Sequence, residues 1–118
     1  MYKLIILIGP VADTPRFGET WPEFLHLAES MPGLVREATV RVQAVLYGDQ
    51  QINMIHELFF DSKEDLDSAL ISSQGQAAGV TLQKITNGHM ILLTAEHKED
   101  DISNLRKYQQ GKDNADSG

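Results

Sequence analysis

Glu57 stands in the run Ile55-His56-Glu57-Leu58-Phe59-Phe60-Asp61, an acid set among apolar and aromatic side chains. Walled off from water, a carboxylate in such company shifts toward the range where it can take a proton as a general base. An ion pair with Arg41, or a hydrogen bond across a dimer, is the competing use, because structural ion-pair networks perturb acids without any catalysis. Arg41, Gln43 and Tyr47 recur at alternate positions as donors for a carbonyl or phenolate in a cleft, or equally as dimer contacts. Trp21 and Phe59 offer aromatic surface to the same ligand, although Trp21 and Phe17 serve as well as helix core. Four histidines accompany them. His56 follows the opposite side of the strand from Glu57 and reads as a satisfied core residue, His89 begins the last strand beside the Asn87-Gly88 turn, and His97 lies at a strand exit. No two histidines have the helical or strand spacing of a shared metal site, and without cysteine there is no thiolate ligand, disulfide or cysteine nucleophile. Neither a metal nor a cofactor is expected.

The elements that must position these residues follow from periodicity. Residues 2–8 form an almost unbroken apolar run that reads as a strand covered on both faces, stopped by Gly9-Pro10. After a loop through Asp13-Thr14-Pro15, Thr20-Trp21-Pro22-Glu23 has the form of a capping box opening a helix to about Met31, with Trp21, Phe24, Leu25, Ala28 and Met31 on one face. Pro32-Gly33 ends it. Residues 37–48 alternate as a second strand, Gly48-Asp49-Gln50-Gln51 gives a hairpin-length connection, and a third strand covers about Ile52 to Phe60. Asp61 and Ser62 cap a helix carrying Leu66, Ala69 and Leu70, with Lys63-Glu64-Asp65 as its solvated first turn. A second helical piece follows the break at Ser72-Ser73, Asn87-Gly88 turns, and residues 89–96 form the last strand.

Strand, helix, strand, strand, helix, strand is the split βαβ plan: an α+β, ferredoxin-like βαββαβ domain whose four-stranded antiparallel sheet carries both helices on one face. The domain is expected over residues 1–97, with a polar tail over 98–118 in which Ile102, Leu105 and Tyr108 recur at helical spacing and Gly111 to Gly118 is mobile. Both faces of the first and last strands are apolar, so a single copy leaves exposed a patch larger than soluble monomers usually show. Pairing of two copies through the open sheet faces removes it.

Length and charge bound the function. A chain of 118 residues with 42% hydrophobic content builds one core. The net charge of -7 disfavours nucleic acid, whose phosphates require clustered Lys and Arg. The opening apolar run is too short for a signal peptide and no run approaches the roughly 20 residues of a membrane span, so a cytoplasmic protein without membrane contact is expected.

Three motifs carry a family resemblance across about residues 3–96. Phe17 and Trp21 stand four apart at the entry of the first helix, Pro32-Gly33-Leu34 follows at its end, and Glu57-Leu58-Phe59-Phe60-Asp61 enters the second helix. In these the chain resembles the EthD-like proteins of the dimeric α+β barrel superfamily. The resemblance implies two sheets packed face to face, a small-molecule cavity in each half, and a glutamate at position 57 looking toward the cleft. It departs at one place: such sequences usually carry a histidine eight residues before the proline, where this chain has Phe24, and His26 faces away from the packed side. No family role passes to His26.

The superfamily includes polyketide monooxygenases and muconolactone isomerases, so the resemblance implies a cofactor-independent enzyme acting on a small apolar or aromatic metabolite by oxygenation or proton transfer. The alternative is a non-catalytic binding protein, or an accessory to an oxygenase system. A haem-using variant would need an axial histidine, and none of the four is placed as one.

Overall fold

A computed structural model describes residues 1–11 and 14–103, so Asp13, Leu105, Tyr108 and Gly111 to Gly118 lie outside the described residues. The chain runs β1 (Tyr2–Ile8), α1 (Thr14–Glu29), β2 (Leu34–Arg41), β3 (Met54–Phe60), α2 (Lys63–Ile71), α3 (Ser73–Thr86) and β4 (Met90–Glu96). The sheet has the order β2-β3-β1-β4 with every neighbour antiparallel. This is the expected ferredoxin-like α+β plan, its second helix divided in two.

Strand alternation sorts the sheet into two faces. Leu4, Ile6, Ile8, Met54, Leu58 and Phe60 point to the helical side and form the core with Phe24, Ala28, Met31, Leu66, Ala69, Ala78 and Leu82. The residues between them, Lys3, Ile5, Leu7, Ile55 and Glu57, are only partly covered within one chain. Ile91 and Leu93 on β4 are more than two-fifths exposed. β1 is thus half open in the single chain rather than covered on both faces.

Two boundaries differ from the sequence reading. α1 begins at Thr14, six residues before Thr20, and holds Pro22 in its interior. The Thr20 hydroxyl does not cap: it donates to the carbonyl of Arg16 at 2.8 Å, one turn back. The stacked series Phe17, Trp21 and Phe24, with ring centroids 5.3 and 4.9 Å apart, carries the apolar face back into the first turn and outweighs the proline. The second difference is β2, which covers 34–41 instead of 37–48. Beyond Arg41 the pairing goes one step further, Val42 N–H to the Asn53 carbonyl at 3.0 Å, and then ends. β1 stops at Ile8, opposite Met54, so the alternating residues 43–52 have no third strand to pack against. They form a long arm with Leu46 and Tyr47 almost fully exposed.

Ser72 makes the break between α2 and α3. Its Oγ accepts from Gly75 N–H at 3.0 Å and donates to the Ala69 carbonyl at 2.6 Å, ending one helix and capping the next. Gly75 is obligatory there, because an added Cβ would overlap the Ala69 carbonyl oxygen.

Candidate functional site

β3 places His56 and Glu57, neighbours in sequence, on opposite faces of the sheet, and the candidate residues divide accordingly. Glu57 lies on the open face, paired in register with Ile5 on one side and Ala38 on the other. Its carboxylate forms an ion pair with Lys3, and both side chains are about 85% covered within the single chain. Among the described residues Oε2 has no further hydrogen-bond partner. Glu57 therefore does not pair with Arg41, which sits opposite Met54 and so belongs to the helical side. A lone lysine inside the apolar run of β1 was the available signal for Lys3, since a cation there needs an anion.

Phe59 shares the open face but is 3% exposed. The Arg36 guanidinium lies 4.1 Å from its ring centre, Lys3 Nζ lies 5.3 Å away, and His97 meets it edge-on at 5.0 Å. Glu99 ties this cage together, 2.7 Å from His97 Nε2 and 3.7 Å from Arg36. A hydrogen bond and the positive charge of His97, then Arg36, hold the Glu99 carboxyl below the usual range. Phe59 is thus wrapped by cations of its own chain rather than presented to a ligand.

The helical side holds the other group. His56 is 1% exposed, with its ring edge-on to Trp21 at 5.4 Å and to Phe24 at 6.2 Å. Two β2 side chains two residues apart clasp it: Thr39 Oγ1 lies 2.9 Å from Nδ1 and Glu37 Oε2 lies 3.3 Å from Nε2. Burial lowers the His56 pKa against the opposing pull of the Glu29 and Glu57 charges, so the ring is held neutral. Burial raises the Glu37 carboxyl to about 7, helped by a hydrogen bond and like charge from Glu29 at the end of α1. The sequence reading had His56 as a satisfied core histidine, and its two ring nitrogens are indeed both engaged. Glu37 and Thr39 escaped it, because only the register of β2 against β3 shows which residues flank the ring.

Thr39 and Arg41 point to the helical side yet are exposed. α1 packs along α3, and the main helical neighbour of edge strand β2 is α2, so this margin of the sheet is left uncovered. Thr39 and Arg41 thus form an exposed shelf on the helical side of β2, with buried His56 against Thr39 and the partly exposed Trp21 against the His56 ring. Trp21 and Arg41 fall on this side, Glu57 and Phe59 on the other, and Gln43 and Tyr47 on the projecting arm. The structure does not bring the six into one site.

His89 lies in a separate cleft at the sheet end, of about 510 Å³, lined by Leu7, Pro10, Gln51, Ile52, Met90 and Ile91 among others. Leu7 and Ile91 belong to the open sheet face, so this cleft is the rim of that face. Among the described residues no group of three His, Asp or Glu could hold a metal ion, and no helix is long and apolar enough to cross a membrane.

No family model and no curated protein matches the chain. Solved structures do. An ethyl tert-butyl ether D (EthD) family protein from Bacillus halodurans superposes with a TM-score of 0.76 at 25% identity, covering 83% of this chain and 99% of its own. A dimeric ferredoxin-like protein of unknown function from Jannaschia gives 0.62 at 17% identity, over 81% of this chain and 98% of that one. SnoaB, a cofactor-independent oxygenase from Streptomyces nogalater, gives 0.63 at 10% identity, over 84% and 94%. The last two speak for the fold alone. The chain thus resembles an EthD family protein and has the ferredoxin-like fold of these structures.

Proposed function

We propose that this chain works as a cytoplasmic homodimer that seats a small apolar or aromatic metabolite on the shelf between α1 and β2, and acts on it without a cofactor, as an oxygenase or isomerase. The observation that carries this reading is the clasped histidine: a neutral, buried imidazole whose two partners sit at the margin of the sheet, beside a stack of three aromatic rings. The partly exposed Trp21 ring offers apolar surface to a flat molecule, and an imidazole next to a raised carboxyl can move one proton. The open face, with Ile5, Leu7, Ile55, Ile91 and Leu93, is assigned to the partner copy, and the Lys3–Glu57 pair becomes a charged element of that interface.

Trp21 is the single tryptophan and stands in the proposed wall, so its fluorescence reports occupancy directly. Titration with hydroxylated naphthalenes should quench it saturably, and native mass spectrometry of protein purified gently from its host should show a dimer with a small retained mass. Emission indifferent to every such compound, together with an empty dimer, would remove the ligand from the shelf.

Non-catalytic binding is favoured by one feature, that both His56 nitrogens already have partners. It predicts that the retained compound is recovered unchanged after incubation with oxygen. The competing catalytic placement, Glu57 as a base facing the cleft between copies, is tested by Glu57→Gln: lost turnover with an intact dimer would move the chemistry to the open face.

A further inference from the structure

We propose that Glu37, His56 and Thr39 form a reversible proton wire, in which the histidine passes a proton by exchanging tautomers and Thr39 hands it to, or takes it from, an oxygen of a ligand on the shelf. The ligand class is an enolisable carbonyl compound or a phenol. The inference rests on the shelf being the ligand side, as proposed above, and adds to it the path of the proton.

The geometry is that of a wire because each nitrogen of one imidazole meets a different oxygen, one belonging to a carboxyl and the other to an exposed hydroxyl. A neutral ring carries one proton, so its two contacts must be of opposite sense. With Glu37 protonated, its O–H donates to Nε2, and Nδ1–H donates to Thr39 Oγ1. With Glu37 ionised, Nε2–H donates to the carboxylate, and Nδ1 accepts from the Thr39 hydroxyl. Passage between the two states breaks the Glu37 O–H, the Nδ1–H and the Thr39 O–H, and forms Nε2–H, a new Thr39 O–H and the ligand O–H. Bonds and charge balance: Glu37 ends as a carboxylate, a ligand enolate or phenolate ends neutral, and no oxidant takes part. The reverse passage removes a ligand proton and stores it on Glu37. A store that takes one proton and gives it back suits an isomerisation, in which a proton leaves one atom and returns at another.

The surroundings permit both states. From α1, Trp21 and Phe24 enclose the ring with apolar edges, and Glu29 adds like charge beside Glu37. From β1, Ile6 lies in register beside His56, and the charge of Lys3 is taken up by Glu57 on the far face of the sheet. On β2, Arg41 is exposed two residues beyond Thr39. Glu37 titrates near neutrality, so the wire can be loaded or empty under ordinary conditions.

The test needs no ligand. Protein labelled with ¹⁵N-histidine is followed by NMR from just below to well above the Glu37 value of about 7. His56 should stay neutral while the protonated nitrogen changes from Nδ1 to Nε2 as Glu37 ionises. In Glu37→Gln the ring should keep one tautomer at every pH. A wild-type His56 that holds one tautomer throughout, or that gains a second proton in place of exchanging, overturns the wire; so does persistent exchange in Glu37→Gln. Because Trp21 quenching reads the ligand separately, a failed wire with intact quenching overturns only this proposal, and tautomer exchange without quenching overturns only the binding site.

Discussion

At the residue scale, two ionisable groups set opposite pH dependences. His56 has a lowered pKa, so its contribution is present above the ordinary 6.5 and is lost as pH falls toward the lowered value. Glu37 is raised from 4.5 to about 7, so its contribution is full below 4.5 and is lost as pH rises through 7. Urea unfolding should show stability declining through neutrality in the wild type, and Glu37→Gln should flatten that limb while leaving the acid limb in place. On the other face, Lys3→Met strands the Glu57 charge and should cost about 3 kcal/mol, whereas Lys3→Met with Glu57→Leu should restore most of it, read from the same unfolding curves. Glu57 was legible as an acid in apolar surroundings, but its partner was not Arg41. Which face a side chain takes depends on strand register, and register is settled by pairing between segments far apart in the chain.

At the element scale, two glycines of α3 separate close packing from mere composition. Gly75→Ala pushes a methyl group into the Ala69 carbonyl at the α2–α3 joint and should destabilise by about 2 kcal/mol or more. Gly79, with open space around its Cβ position, should gain about 0.5–1 kcal/mol on replacement by alanine, because the unfolded chain loses freedom it no longer has to give up. Thermal melts of the pair give opposite signs. The joint itself was legible, since Ser72-Ser73 announced it. The start of α1 was not: Thr20-Trp21-Pro22-Glu23 has every local mark of a helix start, and only the packing of Phe17 on Trp21 shows that the helix had already begun. Local capping chemistry lost to an aromatic stack one turn earlier.

At the scale of the whole molecule, the proposed pairing of two copies rests on the open face. Ile5, Leu7, Ile91 and Leu93 form an apolar strip that the single chain leaves partly uncovered. Leu93→Asp, at the centre of that strip, should convert a dimer to a monomer in sedimentation equilibrium and lower its melting temperature. A dimer that survives the change would place the contact elsewhere. The open apolar face itself was readable from sequence, because β1 and β4 have no polar side and the helices cover only one face. The arm over 43–52 was unreadable for the converse reason: its residues alternate as a strand does, but no neighbouring strand reaches them.

The alternation of β3 carries a consequence for how such a chain diverges. Histidine 56 and glutamate 57 serve different faces through a single peptide unit, so each face can accumulate substitutions while the other keeps its own. The insertion of one residue ahead of His56 in β3 would exchange the two faces, turning the acid under the helices and the imidazole onto the open face. Descendants of this chain are thus free to vary β3 in letter but not in length, and their tolerated insertions are expected in the arm.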